Sequence, residues 1–118
     1  MSHPSAVQNV LFDAANSATN GPASVDRRTK SSGLIDLSAG IITFTESGAT
    51  DPWTLPYEEV IYVIEGHVTV HHDGRTIEGH VGDVLTLEKG ITVVYEGTSG
   101  TRAFFALVPA NWLEQLEQ

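Results

Sequence analysis

Five histidines and fifteen carboxylates are the residues of this 118-residue chain that could bind a metal ion or transfer protons. Imidazole and carboxylate groups together suit transition metals, and either can act as a general acid or base. Three of the histidines, His67, His71 and His72, fall in one short run, HVTVHH. Because side chains alternate along a strand, His67 and His71 share the face opposite Val68 and Val70. We expect that face to point to solvent, with a non-standard metal site at His71 or His72 left open.

The elements that must position these groups are short β-strands. Runs rich in apolar, β-branched and aromatic residues recur about every 8–12 residues between turn residues, a pattern typical of an all-β sandwich or barrel. The runs are Leu34–Leu37, Ile41–Phe44, Val60–Ile64, Val68–Val70, Val84–Leu87, Thr92–Tyr95 and Ala103–Val108. Only the tail, Asn111 to Leu116, predicts a short helix, which Asn111 can cap.

Asp73 and Gly74 form the best-defined predicted turn. A two-residue Asp-Gly connection between alternating runs predicts a hairpin of type I′. It sets the pairs that follow: His72 with Arg75, His71 with Thr76, and Val70 with Ile77. Val68, Val70 and Ile77 should then face the core.

The first 33 residues differ in composition from the rest. Ser, Asn, Ala, Thr and Gly dominate them, and the apolar cluster in this segment is Val10-Leu11-Phe12. We therefore predict a polar N-terminal arm over 1–33, irregular or partly ordered on the domain or a partner, and one domain over 34–118. Within the arm, residues 26–32 (DRRTKSS) are interpreted as a solvated connector, with an anion site as the alternative.

Charge and composition exclude several classes of function. Six Lys and Arg against 15 Asp and Glu give a formal net charge of −9, which disfavours binding to nucleic acid or to anionic membranes. The absence of cysteine excludes disulfides and thiolate chemistry. No run approaches the roughly 20 apolar residues of a transmembrane helix. The N-terminus has no secretory signal pattern, so we expect a cytoplasmic protein.

Two motifs in the chain resemble those of the cupin superfamily. The segment from Glu59 to Gly66 resembles the end of the first cupin motif. GDVLTLEKG, from Gly82 to Gly90, resembles the second, in which proline usually replaces Glu88. The run PWTLPYEEVIYVIEG and the ending PANW more specifically resemble the EutQ-like cupins of ethanolamine utilisation. The resemblance covers about residues 34–113 and implies a single cupin jelly-roll β-barrel, in agreement with the strand pattern.

The resemblance also implies where a cupin metal would bind. Glu59 holds the position of the carboxylate ligand. The histidine positions are held by residues that cannot bind a transition metal strongly: Trp53 and Leu55, or Pro52 and Thr54 on the longer spacing, and Val93. One carboxylate is not a metal site. We therefore expect neither the usual cupin metal nor another cofactor.

The cupin orientation, carried onto this chain, points Glu59 into the barrel. Alternation then points Tyr57 and Ile61 inward, and the second motif contributes Tyr95. The predicted pocket has Glu59 and Tyr57 as candidate catalytic residues, and Trp53 and Tyr95 as candidate ligand-binding residues. Burial would raise the pKa of the carboxyl group and suit it to acid–base catalysis. The alternative is that Glu59 is a structural carboxyl satisfied by a tyrosine or a backbone N–H, with the aromatic residues as core.

Three functions are compatible with these residues. The first is an accessory cupin without the usual metal that binds, or acts on, a small polar metabolite of amine or ethanolamine catabolism. The second is an enzyme: an acetate kinase, as the resemblance implies, or an acid–base catalyst using Glu59 and Tyr57. Against a kinase, the chain has no Gly-rich phosphate-binding motif, and its basic residues after residue 30 are Arg75, Lys89 and Arg102.

The third function is a structural module that docks on a pathway enzyme or a microcompartment shell through the arm. It predicts a filled barrel, whereas the first two predict an open pocket around Glu59. A homodimer is also expected. The strand around Val60–Ile64 is apolar on both faces, one of which another sheet or subunit must cover.

Overall fold

The protein, seen in a computed structural model that describes residues 6–116, consists mainly of β-strands. Within that range the strands are β1 Ser17–Asn20, β2 Ala23–Asp26, β3 Ser38–Phe44, β4 Gly48–Ala49, β5 Trp53–Thr54, β6 Glu58–Glu65, β7 His67–His72, β8 Arg75–His80, β9 Val84–Leu87, β10 Thr92–Gly97 and β11 Arg102–Val108. A 3-10 helix, Ala14–Asn16, precedes β1, and an α-helix, α1, covers Trp112–Leu116. The predicted all-β class and short C-terminal helix are confirmed. Among the described residues, no helix has the length and apolarity needed to cross a membrane.

The strands form two antiparallel sheets that face each other as a barrel. The strand order is β1-β2-β3-β11-β6-β9 in the larger sheet and β4-β10-β7-β8 in the smaller, and β5 also pairs with β10. Glu59, Ile61 and Val63 point into the barrel from β6 and are buried, while the residues between them are exposed. This alternation places one carboxyl group, that of Glu59, among the apolar side chains of the interior.

One end of the barrel, called the closed end below, is filled by apolar side chains. Phe44 at the end of β3, Val63 in β6 and Val68 in β7 are fully buried there. Gly97 of β10 faces the Phe44 ring so closely that a Cβ atom at this position would lie 2.8 Å from the ring. Glycine at position 97 therefore lets the ring close this end at the packing density of a protein interior.

The β7–β8 hairpin has the predicted turn and register. Asp73 and Gly74 have φ values of 50° and 74°, as a type I′ turn requires, and Val70 lies opposite Ile77. The expectation that Ile77 faces the core is wrong, because its side chain is 44% exposed while Val70 is buried. The reason is that β8 is the edge strand of its sheet, so one flank of Ile77 is left uncovered.

Part of the predicted N-terminal arm forms a hairpin on the larger sheet. β1 and β2 are joined through Gly21, whose φ is 57°, and β2 pairs with β3 so that Ala23 lies opposite Phe44. The sequence signals these strands weakly because each has only four residues, and SATN contains a single apolar residue. Backbone pairing stabilises them instead, because β2 pairs with β3 and β1 pairs with β2. The assignment of 1–33 as an arm stays a prediction, and residues 1–5 lie outside the described residues.

The outer face of the larger sheet is apolar and exposed around Tyr62. Val84 of β9 and Phe104 of β11 lie opposite Tyr62 on its two sides, and all three side chains are exposed. Val60, two residues earlier on β6, is exposed as well. A homodimer that covers this face stays a prediction.

Candidate functional site

A cavity of about 360 Å³ opens at the end of the barrel opposite the closed end. All four predicted site residues line it: Trp53, Tyr57, Glu59 and Tyr95. Apolar side chains of the larger sheet form much of the remaining wall, among them Ile42, Ile61, Phe105 and Leu107. The fold thus brings together residues from β5, β6 and β10 and the segment just before β6, and their catalytic and ligand-binding roles stay predictions.

Glu59 is the buried acidic group of this cavity. Its side chain is 8% exposed, and Tyr95 Oη donates a hydrogen bond of 2.7 Å to its Oε1 atom. Within residues 6–116, no cation lies within salt-bridge distance of Glu59. Burial raises the pKa of Glu59 to about 7, and the Tyr95 hydrogen bond offsets part of the rise. Near neutral pH, the group can therefore donate or accept a proton.

The two tyrosines of the cavity keep their hydroxyl protons at neutral pH. Burial first, and the charge of Glu59 second, raises the pKa of Tyr57 and of Tyr95 above the ordinary value. Trp53 Nε1 donates a hydrogen bond of 3.0 Å to the Tyr57 hydroxyl oxygen. That bond uses the oxygen of Tyr57 as an acceptor, so the hydroxyl hydrogen can be donated to a ligand.

Trp112 covers this group of aromatic residues from the C-terminal side. It begins α1, and its ring meets the ring of Trp53 edge-on at 5.9 Å and that of Tyr57 at 5.3 Å between centroids. Such edge-to-face pairs are favourable arrangements of aromatic rings. The PANW ending, which the sequence associates with the resemblance, therefore supplies a wall of the cavity.

Arg27 is a cavity residue that the sequence does not reveal. It follows β2 directly, lines the cavity and places its guanidinium carbon 5.5 Å from the centre of the Trp112 ring. The neighbouring Arg28 instead forms an ion pair of 2.8 Å with Asp26 and lies over Phe12. The interpretation of 26–32 as a solvated connector is thus wrong for Arg27, because the β1–β2 hairpin brings its start to the cavity mouth. The charge run DRRTKSS was the available signal, but it does not show which arginine turns inward.

The donors present do not fit the metal that a cupin fold implies. Glu59 is a carboxylate at a ligand position, but Trp53 and Val93 lie opposite each other where histidines would be needed. Neither side chain offers a ligand atom for a transition metal. Among the described residues, no group of three or more His, Asp or Glu lies close enough together to hold a metal ion.

The histidines of β7 lie on the outer face of the smaller sheet. His71 Nε2 is 2.6 Å from Glu96 Oε1, and His71 Nδ1 is 3.2 Å from the Thr76 hydroxyl. His72 Nδ1 is 3.0 Å from the backbone oxygen of Thr92. In the part of the chain that the structure describes, too few further ligands lie near His71 or His72 to complete a non-standard metal site.

Comparison with known proteins places these features in a family. The family model described as ethanolamine utilisation protein EutQ matches residues 3–114. A curated protein of Escherichia coli named "Acetate kinase EutQ" is 39% identical over 76 residues, which make up 64% of this chain and 32% of that protein. The match therefore spans about a third of the length of that relative.

Solved structures give the same fold. An ethanolamine utilization protein EutQ from Salmonella typhimurium superposes with a TM-score of 0.67 and 29% identity, over 75% of this chain and 71% of that one. A cupin 2 conserved barrel domain protein from Salinispora arenicola superposes with a TM-score of 0.72 over 95% of this chain and 97% of its own, at 15% identity. The fold is that of a cupin barrel.

Proposed function

The chain belongs to the ethanolamine utilisation protein EutQ family, and on that premise we propose that its barrel binds, or acts on, a small polar metabolite of ethanolamine utilisation. The observation that carries the proposal is the buried carboxyl group of Glu59, which lines an open cavity of about 360 Å³. Apolar walls with a few convergent polar groups are typical of a small-molecule site. The site as proposed relies on the chain's own residues and not on the usual cupin metal.

Glu59 supplies the acid–base chemistry of the proposed site. With a pKa of about 7, its protonated and ionised forms are both populated at neutral pH. Tyr95 engages Oε1, so a ligand would exchange a proton with Oε2. The hydroxyl of Tyr57 would donate a hydrogen bond to the same ligand, and Trp53 would orient that hydroxyl. Glu59 and Tyr57 are therefore the proposed catalytic pair, and Trp53 and Tyr95 the proposed binding residues.

The open cavity favours this function over a purely structural module. A module that only docks on other proteins would be expected to fill its barrel with apolar side chains, as the closed end does around Phe44. At the Glu59 end the interior contains instead a carboxyl group with no cation of residues 6–116 within salt-bridge distance. Burial of such a group opposes folding, so its presence supports a role toward a ligand.

Intrinsic fluorescence offers a direct test, because both tryptophans of the chain, Trp53 and Trp112, line the cavity. Cationic, neutral and anionic two-carbon compounds (ethanolamine, ethylene glycol and acetate) would be titrated against the protein. We expect at least one to change the emission saturably, and Glu59→Gln to change its affinity. Glu58→Gln, the same substitution on the exposed face of β6, is the matched control. Absence of any saturable change would overturn the proposed function.

A second candidate is phosphoryl transfer to acetate, which the name of the Escherichia coli relative suggests. Arg27 in the cavity is the observation in its favour, because a kinase needs cationic groups for phosphate. Acetyl phosphate formation from ATP and acetate would be assayed in the wild type, Arg27→Met and Arg28→Met. Loss of activity in Arg27→Met alone would support this candidate, and inactivity of the wild type would rule it out for this chain.

A further inference from the structure

We propose that the ligand of this cavity is a small ammonium compound, such as an amino alcohol, whose cationic nitrogen pairs with Glu59 beside the aromatic walls. This inference rests on the proposed function and adds the chemical class of the ligand. Three observations point to it: a buried carboxyl group without a counter-ion among the described residues, the charge balance of the lining residues, and the number and placement of aromatic rings.

The first observation is that Glu59 has no counter-ion in the part of the chain that the structure describes. A buried carboxylate is stable when a cation or several hydrogen bonds compensate its lost hydration. Tyr95 provides one hydrogen bond, to Oε1, and within residues 6–116 no cation comes within salt-bridge distance. An ammonium group has three N–H donors and a positive charge, and so supplies both missing elements at once.

The second observation is the charge balance of the cavity. The acidic and basic residues that line the cavity are Glu59, Asp51 and Arg27. Tyr57 and Tyr95 stay neutral because burial raises the pKa of each. With Glu59 ionised, two carboxylates face one guanidinium, and a singly charged ammonium ligand makes the cavity neutral. An anionic ligand would instead leave the excess negative charge in place and add to it.

The third observation is the aromatic wall. Trp53, Tyr57, Tyr95 and Trp112 all line the cavity, and the negative face of an aromatic ring attracts cations. The guanidinium of Arg27 already lies 5.5 Å from the Trp112 ring centre, which shows that this wall accepts a positive charge. The cavity thus combines aromatic faces with the buried carboxyl group of Glu59, the chemistry by which proteins recognise ammonium groups.

Proton release follows from the same arrangement. An ammonium group favours the ionised form of Glu59, so binding displaces the Glu59 proton at neutral pH. The other ionisable groups that line the cavity with Glu59 are Tyr57, Tyr95, Asp51 and Arg27. Burial raises the pKa of both tyrosines, so they stay protonated at neutral pH. The affinity should therefore rise with pH up to about pH 7, by up to about tenfold per unit, and level off above it.

A charge series on the wild-type protein tests the inference independently of any variant. Ethanolamine, ethylene glycol and glycolate have the same heavy-atom chain or nearly so, and carry a positive, a neutral and a negative group. Titrations followed by tryptophan fluorescence and by calorimetry should give at least tenfold tighter binding for ethanolamine than for the other two. Calorimetry in two buffers of different ionisation enthalpy should show proton release near pH 6.5.

Variants then assign the interaction to its residue. Glu59→Gln should weaken ethanolamine binding at least tenfold at pH 8 and abolish proton release, whereas Glu58→Gln should change neither. A thermal melt of each variant verifies that it is folded. Retained ethanolamine binding in folded Glu59→Gln would overturn the inference.

The outcomes also separate this inference from the proposed function. Glycolate binding that Arg27→Met abolishes would overturn the ammonium class and leave a small-molecule site in place. Binding of ethylene glycol as tight as that of ethanolamine would do the same. If neither these three compounds nor acetate binds, both the inference and the proposed function fail.

Discussion

At the closed end of the barrel, Gly97 of β10 lies against the Phe44 ring, whereas two residues earlier on the same strand Tyr95 reaches Glu59 at the edge of an open cavity. The two ends share β3, β6, β10 and β11 and the same alternation of inward residues. What differs is the size and polarity of the inward side chains. A glycine next to a phenylalanine lets one end close, and two tyrosines around a carboxyl group keep the other open.

This contrast teaches that one strand can serve stability at one end and ligand chemistry at the other. In β6, Val63 is fully buried at the closed end, while Glu59, four residues earlier, carries a buried carboxyl group with one hydrogen bond, from Tyr95. Packing at the closed end offsets the destabilisation at the cavity end, because burial of apolar surface stabilises the fold and burial of a carboxylate opposes it. Substitutions at the two ends should therefore have effects of opposite sign.

The largest expected effect is at the closed end. Phe44→Ala removes a fully buried ring and leaves a cavity beside Gly97, so we expect the free energy of unfolding to fall by about 3–5 kcal/mol. Urea denaturation followed by circular dichroism measures it. Phe12→Ala, at an exposed phenylalanine, is the control and should cost less than about 1 kcal/mol. Equal losses in both variants would show that the closed end is not tightly packed.

The next effect, at the cavity end, has the opposite sign. Folded Glu59 keeps its proton up to a pH of about 7, against 4.5 for the ordinary group. The free energy of unfolding therefore falls as the pH rises from 4.5 to about 7. Glu59→Gln should remove the penalty and make the protein more stable than the wild type by about 3 kcal/mol above pH 7.5, with little difference below pH 4.5.

Urea denaturation of Glu59→Gln, Glu58→Gln and the wild type at pH 4, 6 and 8 verifies this. Glu58 is exposed, so its variant should follow the wild type across the series. A constant offset between Glu59→Gln and the wild type at all three pH values would contradict the assignment of the pH dependence to Glu59.

A smaller effect is expected at the cavity mouth. Arg27→Met removes the cation over the Trp112 ring, which is worth about 1 kcal/mol or less at a partly exposed site, and should shift tryptophan emission. Arg28 lies over Phe12 instead, so Arg28→Met should leave the emission maximum unchanged. Identical spectra for both variants and the wild type would place Arg27 away from Trp112 in solution.

No effect at all is expected from metal removal. Neither Trp53 nor Val93 offers a metal ligand beside Glu59, so treatment with a chelator should leave the melting temperature unchanged. Elemental analysis of the purified protein provides the second measurement. Stoichiometric iron, manganese, nickel or zinc that is lost in Glu59→Gln would contradict the assignment of this cavity to a metal-free ligand site.

Much of the fold could be predicted because its signals are local. The Asp73-Gly74 turn requires φ values that few other residue pairs adopt, and it sets the β7–β8 register without reference to the rest of the chain. The alternation in Glu58–Glu65 separates an inner from an outer face in the same way. The resemblance to cupins supplied the inward direction of Glu59. With that direction, strand alternation and the second motif predicted that Glu59 lines one pocket with Trp53, Tyr57 and Tyr95.

The parts that could not be predicted depend on long-range contacts. The short N-terminal segments become strands through backbone pairing, because Ala23–Asp26 pairs with β3 and Ser17–Asn20 pairs with Ala23–Asp26 in turn. No side-chain pattern in the sequence records that pairing. Ile77 has the pattern of a core residue, yet its exposure is decided by its position on an edge strand. Arg27 and Arg28 are identical in type and adjacent in sequence, and only the path of the N-terminal hairpin distinguishes them.

By itself, the sequence determined the class of fold and the register of one hairpin, because strand alternation and turn chemistry act over a few residues. The inward direction of Glu59 came from the resemblance of the sequence to cupins. The tertiary structure decided that the Glu59 carboxyl group has no counter-ion among residues 6–116, that Trp112 packs on Trp53 and Tyr57, and that Arg27 lines the same cavity. These features arise where the N-terminal hairpin, β6 and the C-terminal helix meet. Residues far apart in the chain share that space only after folding, and their charges and rings act on one another only there.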